Sequence, residues 1–187
     1  MQPREVLDYW FGSNGPLQAA RDLWFRKSAA TDSEIRDRFG ASIELALGGA
    51  LDSWRRDLQG RRALILLLDQ FTRNVYRDTP RAFAGDPAAL ALARAMVAGG
   101  EDRSCDPYER WFIYLPFEHS ESLADQDDSV RLFRALADDG LPSALDWAER
   151  HREVIQRFGR FPHRNAILGR VSSAEELEFL RQPGSSF

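Results

Sequence analysis

Residues 61–71, RRALILLLDQF, carry the reading on which the fold turns. The run ALILLL at 63–68 is the longest apolar stretch, and by composition it suits a buried strand. Leucine is a good helix former, however, and the run passes into the polar DQFTRN at 69–74 without a turn signal. A strand bounded in this way would be unusual, so the segment is expected to be a buried helix.

The flanking sequence agrees with that expectation. In TDSEIRDRFGASIELALGGAL, Ile35, Phe39, Ile43 and Leu47 recur every four positions and lay an apolar stripe on one helix face. Thr31 or Asp32 is the expected N-cap there, and Gly48-Gly49 the stop. GDPAALALARAMVAGG repeats the design, with Asp86 as cap and Pro87 in the first turn. DSVRLFRALADDG follows, then LPSALDWAERHREVIQRFG, with Pro142 at its start and Leu145, Ala148, Ile155 and Phe158 at helical spacings. SSAEELEFLRQ places Glu175 and Glu176 three positions after Ser172 and Ser173, a capping-box pattern. No segment alternates with period two. The expected fold is all-α, about eight or nine helices packed as antiparallel hairpins. Residues 1–182 are expected to form a single domain, with 183–187 a frayed tail.

Composition narrows the function classes. The chain has 187 residues, a hydrophobic share of 43% and a net charge of −4. That acidic balance argues against a general nucleic-acid binder. The single Cys105 allows no internal disulfide and favours a reducing compartment. MQPREVLDYWFG lacks a signal-peptide core, and no apolar run approaches a membrane span. A cytoplasmic protein with no membrane partner is expected.

Three polar stretches hold the candidate site. The first, LLLDQFTRNVYRDTPRAF (66–83), offers Asp69, Arg73 and Asn74. On a continuous helix Asp69 and Arg73 form one i,i+4 pair, Gln70 and Asn74 a second, delivered to a helix mouth facing solvent or a cleft. The second, YERWFIYLPFEHSESLADQ (108–126), should end or kink its helix at Pro116. Glu118, His119 and Glu121 follow that break, an arrangement in which carboxylates can orient an imidazole. The third runs from Arg150 to Arg170, where six arginines stand against one acid, Glu153. Arg150, Arg152 and Arg157 suit a solvated face. Arg160, His163, Arg164 and Asn165 sit on a turn built by Gly159 and Pro162 between Phe158, Phe161 and Ile167. Those arginines could fork onto a ligand carboxylate or phosphate, or onto Glu118, Glu121 or Asp69. Phe71-Thr72-Arg73-Asn74 and Phe161-Pro162-His163-Arg164-Asn165 echo one another as Arg-Asn pairs after a phenylalanine.

Several chemistries leave no trace. There is no GxGxxG, GxxxxGK[ST], GxSxG or HExxH. His119, His151 and His163 are separated by 32 and 12 residues, which matches no compact metal-ligand spacing. No metal or cofactor is therefore assigned.

Taken in order, LLLDQFTRNVYRDTPRAFAGD, FIYLPFEHSES with Gln126, and HREVIQRFGRFPHRNAILGR resemble the bacterial family known as domain of unknown function 924. The early YWFG and LWFRK and the closing EELEFL fit as well. The resemblance implies a tetratricopeptide-like superhelix of paired antiparallel helices, and it implies no activity. The positions matching the family's motifs are Asp69, Gln70, Arg73, Asn74, Arg77, Glu118, His119, Glu121, Gln126, His151, Arg160, His163, Arg164 and Asn165. Thr72 stands where the family usually has proline, which should change the local turn.

Three functions compete on this reading. One is a binding module whose polar pocket takes a small anionic molecule or a peptide carboxylate on Asp69, Arg73, Asn74, Arg160, His163, Arg164 and Asn165. Another is an acid–base or metal-assisted hydrolase using His119 or His151 with Glu118 or Glu121. The last is a purely structural ionic network with a protein-interaction role. FGRFPHRN is expected to be one wall of a pocket whose others are DQFTRN and PFEHSE. The sequence names neither the ligand nor an oligomeric state.

Overall fold

The computed structural model describes residues 1–13 and 21–185. Among them there is helix and no strand. They group into two compact units, Met1–Arg77 with Arg81–Pro116, and Asp78–Pro80 with Phe117–Phe187.

The first unit is built on the ALILLL segment, which is helical as expected. α1 (Pro3–Phe11), α2 (Asp22–Phe25) and α3 (Ala29–Leu47) precede α4 (Leu58–Ile65). α4 then widens into a π-helical turn, Leu66–Phe71, and narrows again into α5 (Thr72–Val75). Leu66, Leu67 and Leu68 are all buried, so this rod is apolar on every side, as a core helix must be. Trp10, Phe39 and Phe71 close around it, with ring centroids 5.3 Å apart for Trp10–Phe71 and 5.0 Å for Phe39–Phe71. A Cβ on Gly85 would stand 2.1 Å from the carbonyl oxygen of Leu68, so only glycine lets that backbone pass so close to the π turn. α6 (Asp86–Ala98) starts at this contact, with Gly85 as N-cap.

Two expected caps differ in detail, that of α6 being Gly85 and not Asp86. α3 is capped by Ser28, whose Oγ accepts the Thr31 N–H, which leaves Asp32 for another role. Ile35, Phe39 and Ile43 form the buried stripe as read, while Leu47 at the helix end is half-buried. Thr72, in place of proline, makes no turn. It is fully buried, and its Oγ1 donates to the Leu68 carbonyl one turn back, which a proline could not do.

α7 (Pro107–Glu118) runs two residues beyond Pro116 and gives those last two, Phe117 and Glu118, to the second unit. There α8 (Leu123–Asp138) and α9 (Pro142–Phe158) form an antiparallel hairpin. Across it Arg152 pairs with Asp127 at 2.6 Å and Arg134 with Glu149 at 3.5 Å. Gly159, at φ 68°, ends α9 in the left-handed conformation. α10 (Ala174–Leu180) opens with the capping box read from sequence, Ser173 and Glu176 each bonding the other's backbone. Val154, Ile155 and Phe161 form this unit's apolar centre, with Phe158 and Phe179 against it. In the tail, Ser185 is buried and its Oγ donates to the Leu180 carbonyl, while residues 186–187 lie outside the described residues. No helix among the described residues is long and apolar enough to cross a membrane.

Candidate functional site

The DQFTRN group belongs to the first unit and closes on its own acids. Arg73 is bidentate on Asp86, at 2.7 and 3.0 Å, and donates to the Asp69 carbonyl at 2.7 Å. The expected Asp69–Arg73 ion pair is present at 3.3 Å. The expected Gln70–Asn74 pair is not. The π turn shifts the register, so Gln70 donates to Asp69, and Asn74 donates to Asp32 at 2.8 Å. Arg77 forks onto the same Asp32 at 2.8 and 2.9 Å. Burial raises the Asp32 pKa, but the hydrogen bonds from Arg77 and Asn74 outweigh it and hold the carboxyl below its usual value. Asp69 is fully buried and Gln70 nearly so, which places neither at a solvent-facing mouth.

The second unit brings together PFEHSE and FGRFPHRN, and here the sequence reading is most productive. Glu121 accepts from the Phe161 N–H at 2.8 Å and from both terminal nitrogens of Arg170, at 2.6 and 2.9 Å. Arg170 also reaches Asn165 Oδ1 and the Phe161 carbonyl. Asn165 in turn donates to Ser172 Oγ. Burial works against the Glu121 charge, yet these donors and the nearby Arg164 keep its pKa below the ordinary glutamate value. With both oxygens committed, Glu121 braces the turn and is poorly placed to act as a base. Arg160 forks onto Glu176, at 2.6 and 2.7 Å, rather than onto Glu118, Glu121 or Asp69. Its hydrogen bond, opposed by burial and helped by the Ser173 N–H, lowers Glu176 to about 2.

Behind this brace lie all three histidines. The His119 and His151 rings are 6.4 Å apart. Phe161 packs edge-on to His151 at 5.5 Å and tilts against His163 at 5.6 Å. The Arg164 guanidinium lies over the Phe161 ring, 4.6 Å from its centroid. His151 Nδ1 faces the Trp147 carbonyl at 2.9 Å and Glu118 Oε1 at 3.3 Å. Burial pushes His151 down to about 3, with further lowering from His119, Arg164 and His163, against the opposing Trp147 hydrogen bond. The Glu118 contact is therefore made to a neutral imidazole, and the ion-pair reading of that distance gives way to desolvation. Glu118, His151 and Arg164 are buried, whereas His119 and His163 are half-buried.

Gln126 completes the end of α7. Its Nε2 donates to the carbonyls of Phe117, Glu118 and Ser120, at 3.4, 2.7 and 2.7 Å. The carbonyls left open by the end of α7 are thus satisfied by a side chain from α8. No group of three or more His, Cys, Asp or Glu among the described residues is arranged to hold a metal ion. One open cleft of about 600 Å³ lies in the first unit, lined by Glu5, Tyr9, Arg21 and Arg38 among others and by none of the candidate residues.

Sequence reasoning missed four partners. Asp86 was assigned as a helix cap, Glu176 as part of a capping box, Asp32 as another cap, and Arg170 as one of a basic run. Each is also the other half of an ion pair. The pairings span 13, 16, 45 and 49 residues, and no local period reveals contacts at those separations.

By fold and site this is an all-helical protein whose second unit sets His151 and His163 against the Phe161 ring, with His119 beside His151. It belongs to the bacterial family of proteins of unknown function DUF924, whose profile matches residues 6–184. A solved structure of a protein of unknown function from Agrobacterium tumefaciens is similar, at 39% sequence identity, over 95% of this chain and 96% of that one, with a TM-score of 0.85. None of the curated proteins is a significant match.

Proposed function

We propose that the second unit is a binding module for a small anion, a carboxylate or phosphate, held by His119, His163 and Arg164. The observation that carries this reading is convergence. The chain has three histidines, and all of them meet Phe161 or one another beside a stacked arginine. Burying a Glu118–His151 pair behind two half-buried imidazoles costs desolvation, and such arrangements cluster at functional sites. The Glu121–Arg170 and Arg160–Glu176 pairs fix the turn that carries His163 and Arg164. The antiparallel α8–α9 hairpin supports a tetratricopeptide-like pairing of helices.

An acid–base enzyme has one observation in its favour, the 3.3 Å approach of His151 Nδ1 to Glu118. A histidine lowered to about 3 is a weak base at neutral pH, so the binding reading is preferred.

The test is thermal unfolding with inorganic phosphate or acetate at fixed ionic strength, on the native chain and on His163→Ala. A ligand that binds only the folded state raises the midpoint. The expected result is a rise that shrinks in the variant. No rise with either probe, while His163→Ala merely destabilises, would leave the cluster as a structural network.

A further inference from the structure

The open cleft of the first unit carries chemistry that the anion site does not use. Its volume is about 600 Å³; α1 contributes Glu5, Asp8 and Tyr9, and α3 contributes Thr31, Glu34 and Arg38. A second hollow of about 360 Å³ adjoins it, since Leu23 and Thr31 line both. These volumes are in the range of small-molecule sites.

The two hollows differ in charge. In the larger, three carboxylates, Glu5, Asp8 and Glu34, stand against two guanidiniums, Arg21 and Arg38. In the smaller, Asp22 stands against Arg26 and Lys27. Internal pairing sharpens the contrast. Arg38 is paired with Glu34 at 2.9 Å and lies over the Tyr9 ring, 4.6 Å from its centroid. Arg21 Nη1 donates to the carbonyls of Tyr9 and Trp10, both at 2.6 Å. Glu5 accepts the Gln2 N–H, and Asp8 meets Arg4 at 3.3 Å in an exposed pair of little strength. Carboxylate charge is therefore left over on α1. The larger hollow also disfavours a further anion: the Tyr9 pKa is pushed up to about 12, first by burial and then by Glu34, against the opposing Arg38 and Arg21. Arg26 and Lys27, by contrast, are exposed and make no side-chain ion pair among the described residues.

We propose that the adjoining hollows bind a small linear zwitterion, its ammonium held by Glu5 and Asp8 and its carboxylate by Arg26 and Lys27. Leu23 and Thr31, common to both hollows, flank the chain between the two charges. A simple cation suits only the larger hollow and a simple anion only the smaller, so a ligand bearing both charges gains from both. The assignment uses no residue of the second unit and is independent of the anion reading above.

Calorimetric titration of the whole chain at fixed ionic strength tests it, with 6-aminohexanoate against hexanoate, hexylammonium and glycine. The zwitterion should bind about tenfold more tightly than hexanoate or hexylammonium, the worth of one added hydrogen bond between charged groups. Asp8→Asn should shrink its advantage over hexanoate, and Lys27→Gln its advantage over hexylammonium. Both side chains reach solvent, so these variants should keep the native melting midpoint. Glu5→Gln, which preserves the capping pattern of α1, and Arg26→Gln provide a second pair. Hexanoate or hexylammonium matching the zwitterion overturns the proposal. Glycine binding as tightly as 6-aminohexanoate overturns it too, because its charges lie too close together to reach both hollows. Binding of none of the four overturns it outright.

Discussion

The buried imidazole of His151 makes a quantitative prediction about acid sensitivity. Its pKa falls from 6.5 to about 3 on folding, because burial penalises the cation and His119, Arg164 and His163 add to the penalty. The unfolded chain takes up a proton as pH drops through about 6.5, while the folded chain does not until near 3. The contribution of His151 is therefore fully present above pH 6.5 and is lost progressively as pH falls below it. Between pH 7.5 and 5.5 the loss is about 1.4 kcal/mol, an order-of-magnitude figure from the two pKa values. That corresponds to a fall of about 3–6 °C in the melting midpoint for a chain of this size. The window avoids Glu121, Glu176 and Asp32, whose folded pKa values are lowered and whose contributions fade only below about pH 4.5. The groups facing His151, namely Glu118, His119, His163 and Arg164, stay in place when His151→Gln is compared with the native chain. The variant should lose most of the pH dependence in this window. NMR titration of the three imidazole Cε1–H signals reads the same quantity directly, with one signal remaining at its neutral position down to pH 5.5. Three midpoints all near 6.5, or identical pH dependence in the two proteins, would refute the desolvation argument.

Other perturbations have clear expected outcomes. Glu121→Ala strips the partners from Arg170 and the Phe161 N–H. It should cost roughly 2–4 kcal/mol in denaturant unfolding, with Glu121→Gln recovering part of it. Asp86→Ala should cost a comparable amount, because Arg73 loses its bidentate partner beside fully buried Asp69. Gly85→Ala should destabilise by about 1–3 kcal/mol, since its Cβ meets the Leu68 carbonyl at 2.1 Å and backbone must move. Ser173→Ala removes an N-cap and should cost about 1 kcal/mol, with a smaller effect signalling that the Arg160–Glu176 fork alone holds α10 in place.

Local rules made the helices legible. The stripe Ile35, Phe39, Ile43, the prolines at the starts of α6 and α9, and the Ser173–Glu176 box are all short-range patterns, and each appears where the sequence puts it. ALILLL was readable as helix because leucine and an uninterrupted run into polar residues disfavour a strand. The π turn was not readable. It depends on a six-residue stretch buried on all sides and on backbone contact from Gly85, neither of which leaves a periodic trace.

The site divides along the same line. By itself the sequence singled out the candidate residues: three histidines, the arginines of FGRFPHRN, and the acids after Pro116. Only the tertiary structure decided which of them face one another. It gave Arg160 to Glu176, Arg170 to Glu121 and Arg73 to Asp86, and it set His151 and His163 against Phe161 with His119 beside His151. The physical reason is range. A cap or an amphipathic stripe is enforced by neighbours within a turn or two, whereas an ion pair across 49 residues is enforced by the packing of helices between them. Burial, which pushes the His151 pKa down to about 3, is likewise a property of the packed chain and of no residue alone.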